Sequence, residues 1–157
     1  MVKSKLIQGG DGTAIPAGMV GETLTNVISS TTVAVTNTVL TQDTNLVCGV
    51  GRWELTYSVT ANYTTGASAS DRGKVEVWIA DSSNDAVVIG KSKRALFAKT
   101  VAAVTNDVIA CLSVTVVIDV PASTTKNYRL VGLRTDTAGT GQAVITADST
   151  FYATRIA

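Results

Sequence analysis

The stretch "NDVIACLSVTVVIDVPA", residues 106–122, decides the fold class of this chain. From position 108 to position 120 the seven even-numbered residues are all apolar: Val108, Ala110, Leu112, Val114, Val116, Ile118 and Val120. Its odd-numbered residues are polar at four positions: Asp107, Ser113, Thr115 and Asp119. Because successive side chains of a strand point to opposite faces, this alternation predicts one long antiparallel strand with an apolar inner face and a polar outer face. Pro121 ends the strand, since proline has no N–H to donate to a ladder.

Shorter segments of the same kind, separated by turn residues, fill the rest of the chain. In "GRWELTYSVTANY" the inward positions are Trp53, Leu55, Tyr57, Val59 and Ala61, and in "KVEVWIAD" they are Val75, Val77 and Ile79. Further strands are predicted at 20–29, 32–42, 126–135, 141–148 and 150–157, with two strands or one bulged strand at 86–101. This spacing predicts an all-β, antiparallel two-sheet jelly-roll-like sandwich over residues 19–157, preceded by an extended N-terminal arm at 1–18.

Composition and charge agree with this fold class and exclude several functions. The chain has 24 Thr, 22 Val and 19 Ala among 157 residues, and β-branched residues pack well on a pleated surface. The formal net charge of +1 gives no basis for nucleic-acid binding driven by counterion release. No apolar run is long enough to span a bilayer, and "MVKSKLIQGG" lacks the apolar stretch of a secretory signal. We therefore expect a soluble protein that is made in the cytoplasm, with Cys48 and Cys111 as free thiols.

The sequence contains no histidine, which removes the usual Ser–His and Cys–His nucleophiles and the commonest metal ligand. A Ser–Lys dyad within Lys91–Lys93 is disfavoured, because adjacent residues of a strand face opposite sides. Most carboxylates lie in turns, where aspartate makes local backbone hydrogen bonds, so no pair of them is diagnostic of catalysis. The loop with Asp81, Asn84 and Asp85 lacks the regular ligand spacing of a calcium site. We expect no catalytic residues, no cofactor and no metal.

The glycine-rich segment "QGGDGTAIPAGMVGE", residues 8–22, does not fit a phosphate-binding loop. Such a loop needs a preceding strand and a following helix N-terminus, and this segment lacks the third glycine of a dinucleotide fingerprint. Its glycines permit unusual backbone angles and close approach to another chain, and its proline stiffens the turn before the first strand. We expect an arm that docks on a larger particle through Gly9, Gly10, Asp11, Gly12, Ile15 and Pro16.

Three aromatic residues are candidates for binding. Trp78 lies on the polar side of "KVEVWIAD", beside Lys74 and Glu76. An indole on such a face is a subunit contact, a side chain partly buried under a loop, or a platform on which a sugar ring stacks. Tyr63, beside a glycine-rich loop, and Tyr128 are weaker examples of the same case. Trp53 and Tyr57 are in phase with aliphatic residues and are expected in the core.

"GDGTAIPAGMVGE", residues 10–22, followed by a Thr/Val-rich strand, resembles a recurring segment of tailed-bacteriophage virion proteins of the tail-fibre and tailspike-terminal type. "GRWELTYSVTANY" resembles a second landmark of these proteins, and the closing "FYATRIA" is similar to their short Arg-Ile ending. The resemblance implies a jelly-roll-like homotrimer that works by binding rather than by catalysis. It also implies a place in the virion, with other virion proteins as partners.

Three functions remain open from the sequence. The first is a non-enzymatic trimeric component of the phage tail, which contacts host surface polysaccharide or protein through loops 64–73 and 81–86. The second is a capsid decoration protein that clamps neighbouring shell subunits with its arm. The third is a carbohydrate-binding module or a polysaccharide depolymerase that uses carboxylates between subunits. We expect the first, with no membrane insertion and no nucleic-acid partner.

Overall fold

The computed structural model of the chain describes residues 18–41, 45–66, 72–100, 105–137 and 141–157. The six predicted docking residues of the arm, Gly9, Gly10, Asp11, Gly12, Ile15 and Pro16, lie outside these ranges. The described residues form twelve strands: β1 (Thr23–Val27), β2 (Thr31–Thr32), β3 (Thr38–Val39), β4 (Leu46–Cys48), β5 (Gly51–Thr64), β6 (Arg72–Asp81), β7 (Asn84–Val88), β8 (Arg94–Lys99), β9 (Asp107–Val120), β10 (Lys126–Asp136), β11 (Gln142–Ile145) and β12 (Thr150–Arg155).

The strands form two antiparallel sheets, which together have jelly-roll topology. In sheet 1, β9 pairs with β5, β5 pairs with both β11 and β12, and these pair with β2 and β1. In sheet 2, β3 and β4 both pair with β10, β10 pairs with β6, and β6 pairs with β7 and β8. Four pairs of short strands each occupy one place across a sheet: β1 with β2, β3 with β4, β7 with β8, and β11 with β12. When each of these pairs is counted once, both sheets have four strand positions. The chain passes between the two sheets in the order of two Greek keys. The predicted all-β two-sheet sandwich is confirmed.

The pair β5–β9 is the longest ladder of the fold, and it confirms the alternation of inward and outward residues predicted for both strands. All fourteen residues of each strand are in register, from Gly51 opposite Val120 to Thr64 opposite Asp107. Trp53, Leu55 and the residues that follow them at alternate positions of β5 are fully buried. The even-numbered residues of β9 face the same way, and most of them are half-buried against the core. The long alternating stretch therefore folds as predicted, with one face toward the second sheet.

The core lies between the two sheets. Sheet 1 contributes the alternating residues of β5 together with Phe151 and Ala153, and sheet 2 contributes Val75, Val77 and Ile79 as predicted. Full burial of one large apolar side chain stabilises the fold by roughly 1.5–3 kcal/mol. Trp53 and Tyr57 belong to this core, which confirms their predicted position.

The strand predicted at 32–42 is wrong, because the chain changes sheets within it. Val33 N–H donates to the Ala143 carbonyl in sheet 1 at 2.8 Å, whereas Leu40 N–H donates to the Leu130 carbonyl in sheet 2 at 2.9 Å. The alternating pattern continues through this crossing, since both halves bury apolar residues in the same core. The segment 86–101 contains the end of β7 and all of β8, so two strands are present, and a turn at Gly90 with φ of 58° separates them.

Candidate functional site

Trp78 lies on the outer face of sheet 2, and of the three alternatives for its indole the single chain shows burial under a neighbouring segment. The side chain is only 2% exposed and packs with Ala80 and Val131. Its Nε1 donates to the carbonyl of Asp85 at 2.9 Å, and the Lys93 ammonium lies 4.4 Å from the centre of the ring. The hairpin of β6 and β7 therefore covers the indole, and no ring face is left on which a sugar could stack.

Tyr63 and Tyr128 are buried as well. Tyr63 points into the sandwich, where its phenol fills the space that Gly73 and Gly141 leave without a side chain. The alternation of β5 indicates this inward position, because Tyr63 has the same parity as the buried residues Trp53 and Ala61. Tyr128 lies near Cys48 and Asp81, and burial raises the pKa of its phenol to about 12. Neither ring is an exposed contact in the single chain.

The polar clusters that the sequence raised as chemical candidates have structural roles. Ser92 is buried, and its Oγ accepts a hydrogen bond from Ile79 N–H at 3.1 Å. Asp81 Oδ1 accepts hydrogen bonds from the amide and the hydroxyl of Ser83, which lower the pKa of this carboxyl. Asp85 forms an ion pair with Arg129 at 2.5 Å. Within the described ranges, no three Cys, Asp or Glu side chains are grouped so that they could hold a metal ion.

The two cysteines are free thiols in different surroundings. Cys48 is buried, and this desolvation, followed by the nearby charge of Glu22, raises the pKa of its thiol to about 12. Cys111 is exposed on the outer side of β9, with its Sγ 3.2 Å from the hydroxyl of Ser58. Because only the thiolate is strongly nucleophilic, Cys48 is inert near neutral pH.

The free edge of β9 is the first surface that can bind another protein. Among the described residues, β9 pairs only with β5, so the other side of this 14-residue strand has open backbone groups. Ile109 is 65% exposed and Val117 48% exposed on its outer face. Long, exposed, apolar edge strands are the sites where chains pair with one another. We call this surface, residues 107–120, the β9 edge.

Short hydroxyl side chains cover the outer face of sheet 1 beside this edge. Thr56 Oγ1 lies 2.8 Å from Thr115 Oγ1, and Thr64 Oγ1 donates to Asp107 Oδ1 at 2.5 Å. Cross-strand pairs of this kind stabilise a sheet and leave its face flat. Along 56–60 of β5 and the facing 111–115 of β9 the outward side chains are all short, which allows another sheet or chain to come close there.

A cavity of about 380 Å³ lies on the outer face of sheet 2, at the end where β6 begins and β8 and β10 end. Its floor includes Phe97, which is 70% exposed. We call it the Phe97 pocket, and its principal lining residues are Arg72, Lys74, Phe97, Lys99, Thr135 and Asp136. The sequence does not predict this pocket, because "RALFAK" indicates a strand without indicating which residues of the paired strand lie beside Phe97.

Comparisons with known proteins give structural neighbours but no family. No family model matches the chain, and no curated protein matches it. Similar solved structures come from infectious bursal disease virus: a mutant VP2 protein in derived T=1 particles (11% identity, TM-score 0.38), the Gt strain (12%, 0.38) and the T13 viral particle (8%, 0.38). Each match covers 92% of this chain but only 40%, 42% and 39% of the viral chain. The chain thus spans about two fifths of the length of these viral chains. In the described part of the chain, no helix is long and apolar enough to cross a membrane.

Proposed function

We propose that the chain is a non-enzymatic bacteriophage virion structural protein. It is a trimeric, tail-fibre-like component that attaches to the particle and contacts the host surface. The β9 edge is the observation that carries this proposal, because it gives the sandwich a surface made for joining chains. The resemblance of the segment at 10–22 to phage virion proteins supplies the kind of assembly.

Among the described residues, the β9 edge has none of the usual protection against pairing. Natural edge strands are kept apart by lysine, proline, bulges or short length, whereas β9 is long and fully in register with β5. Its charges, Asp107 and Asp119, stand at its two ends, and Ile109, Cys111 and Val117 lie between them. A monomer with such an edge is prone to uncontrolled aggregation. In a defined subunit interface, the open backbone groups of β9 would pair with another chain.

The described chain starts at Gly18, and the arm predicted at 1–18 is proposed to dock on the particle from there. Gly18 N–H donates to Glu22 Oε2 at 2.6 Å, and Gly21 N–H donates to the carbonyl of Arg155 at 2.7 Å. These bonds fix residues 18–22 beside the last strand.

Electron microscopy of phage particles labelled with antibody to this chain tests the proposal. We expect label on the tail. Label on the shell alone would contradict the tail assignment and favour a head decoration protein, and particles without label would contradict a virion role altogether. A chain that lacks residues 1–15 should keep the folded sandwich and lose most of its incorporation into particles.

The non-enzymatic part of the proposal has a separate test. Host polysaccharide is incubated with the protein, and the release of reducing ends is measured. We expect no release above a buffer control. Turnover that a single Asp→Asn substitution abolishes would show a depolymerase and refute the proposal.

A further inference from the structure

We infer that the Phe97 pocket binds a carboxylate-bearing sugar unit of an acidic polysaccharide. This inference deepens the proposed function and rests on it, since it names the ligand class of the host contact. Three strands meet at this pocket, and their register brings several charges together around one exposed ring.

The register places three cationic side chains around one phenyl ring. Arg72 stands directly opposite Lys99, and Lys74 stands directly opposite Phe97 on β8. On its other side Lys74 is opposite Thr135 of β10. Side chains opposite each other in an antiparallel pair have Cβ atoms roughly 4.5–5.5 Å apart, so the cations and the ring share one small area of the sheet.

The charges at this corner are not balanced by described acidic groups. Like charges that stand directly opposite destabilise a sheet, and Arg72 and Lys99 form no ion pair with any described residue. Lys74 forms an ion pair with Glu76 at 3.0 Å, and Lys93 forms a second ion pair with Glu76 at 3.9 Å. A bound anion would relieve this repulsion, which indicates the sign of the ligand.

Asp136 also lines the pocket but does not offset its charge. Its side chain is 1% exposed and lies 3.2 Å from the Nε of Arg134, so its carboxylate is already paired inside the sandwich. The wall of the pocket is therefore cationic at Arg72 and Lys99, with the Thr135 side chain beside it.

Phe97 determines the class of anion. Its ring is 70% exposed, and it presents an apolar surface that a compact inorganic ion cannot use. A hexuronate has an apolar ring face for Phe97 and a carboxylate for the guanidinium of Arg72, which binds carboxylates through two parallel hydrogen bonds. The cavity of about 380 Å³ is within the size range of small-ligand sites.

A nucleic-acid strand fits this surface less well. Such a strand needs a continuous cationic track with several stacking rings, and here one ring stands in one corner. The outer face of sheet 1 carries Glu54, Asp107 and Asp119, and the whole chain has a net charge of only +1. The favourable field is therefore local to the pocket.

Fluorescence anisotropy with a labelled oligoalginate, a polymer of uronates, tests the inference on the full chain. Labelled dextran of equal length is the neutral probe. We expect oligoalginate to bind, with affinity that falls as salt is raised, and dextran not to bind. Arg72→Gln, Lys99→Gln and Phe97→Ala should each weaken binding at least about tenfold. Lys126→Gln, at the opposite end of β10, is the matched control and should bind as the unmodified chain does.

Equal binding of dextran, or binding that all three pocket variants leave unchanged, would overturn the inference. So would tighter binding of an oligothymidylate than of oligoalginate. The mass of each variant in solution separates this inference from the proposed function. If a pocket variant loses its assembly, the surface is a subunit contact and the ligand assignment is wrong. If oligoalginate binding meets the prediction while the chain is absent from phage particles, the proposed function fails and the pocket assignment stands.

Discussion

The hydroxyl of Tyr57 lies 2.7 Å from the carbonyl oxygen of Ser92 and donates a hydrogen bond to it across the core of the sandwich. Tyr57 belongs to β5 of sheet 1, whereas Ser92 precedes β8 of sheet 2. The same hydroxyl is 3.1 Å from the carbonyl of Val77, and the side chain of Ser92 bonds in turn to Ile79 N–H. This buried polar chain fixes how the two sheets sit on each other, since an unsatisfied partner in the core is costly.

Replacing Tyr57 with Phe tests this connection. We expect the free energy of unfolding to fall by about 1–3 kcal/mol, because the substitution removes the donor and leaves the Ser92 carbonyl buried without it. Urea unfolding measures the change. Tyr152→Phe, on the outer face of β12, is the control and should change the stability by less than about 0.5 kcal/mol. Equal effects of both substitutions would show that the hydroxyl of Tyr57 contributes nothing specific.

Gly73 is predicted to tolerate no side chain. A methyl group there would overlap the phenol of Tyr63, so Gly73→Ala should destabilise the chain by about 1–3 kcal/mol or more through overpacking. Gly49→Ala is the matched control, since a methyl group at Gly49 meets no atom within 4 Å. In a double variant, Tyr63→Leu should lower the midpoint of thermal unfolding less when Gly73→Ala is present than it does in the unmodified chain. Additive losses would contradict the clash.

Trp78 should contribute to folding rather than to assembly. Trp78→Ala removes a buried indole and its bond to Asp85, and we expect a loss of about 3–5 kcal/mol in the free energy of unfolding. The measurement is urea unfolding at several protein concentrations. A variant with unchanged monomer stability and weaker assembly would restore Trp78 as a subunit contact.

The stability of the chain should fall as the pH rises above about 9. The thiol of Cys48 has an ordinary pKa of 9.0, and burial raises this pKa to about 12 in the folded chain. Between these values the unfolded chain loses the proton while the folded chain keeps it, so ionisation favours unfolding. The contribution of the protonated Cys48 thiol to stability is therefore complete below about pH 9 and is lost as the pH rises toward 12.

Two variants isolate the contribution of Cys48 to this loss. Urea midpoints at pH 8 and pH 10.5 should differ less in Cys48→Ala than in the unmodified chain. Cys111→Ala, which removes the exposed thiol, should leave the difference unchanged. The raised pKa values of Tyr57 and Tyr128 act in the same direction in all three proteins. An identical difference in Cys48→Ala would contradict the assignment to this thiol.

The sequence was sufficient to predict β5 and β9. Burial of only one face of a strand places apolar residues at every second position, and few other structures have this period. It was insufficient at 32–42, where both sheets bury residues in one core and the crossing between them does not disturb the pattern. Pairing with Ala143 and Leu130 decides that crossing, and these partners lie about one hundred residues away.

The candidate site was harder to predict than the fold. Trp78 has the parity of an outward residue, yet the neighbouring hairpin of β7 folds over it, and parity alone contains no information about such a cover. The Phe97 pocket depends on the register that sets Arg72 opposite Lys99, which only the paired strands reveal. The docking residues of the arm remain predictions.

The β9 edge is the central element of the proposed function, and a charge placed on it should prevent assembly. In Ile109→Lys the new ammonium would have to be buried at the subunit contact, where an unpaired charge is strongly unfavourable. The sandwich should remain folded, since the side chain of Ile109 is 65% exposed in the single chain. Val87→Lys, at an exposed position of β7 in the other sheet, is the matched control.

Light scattering on the full chain tests whether the chain assembles through the β9 edge. We expect the unmodified chain and Val87→Lys to have three times the 16.2 kDa mass of one chain, and Ile109→Lys to have the mass of a monomer. A monomeric mass for the unmodified chain, or a trimer that Ile109→Lys leaves intact, would contradict assembly through the β9 edge.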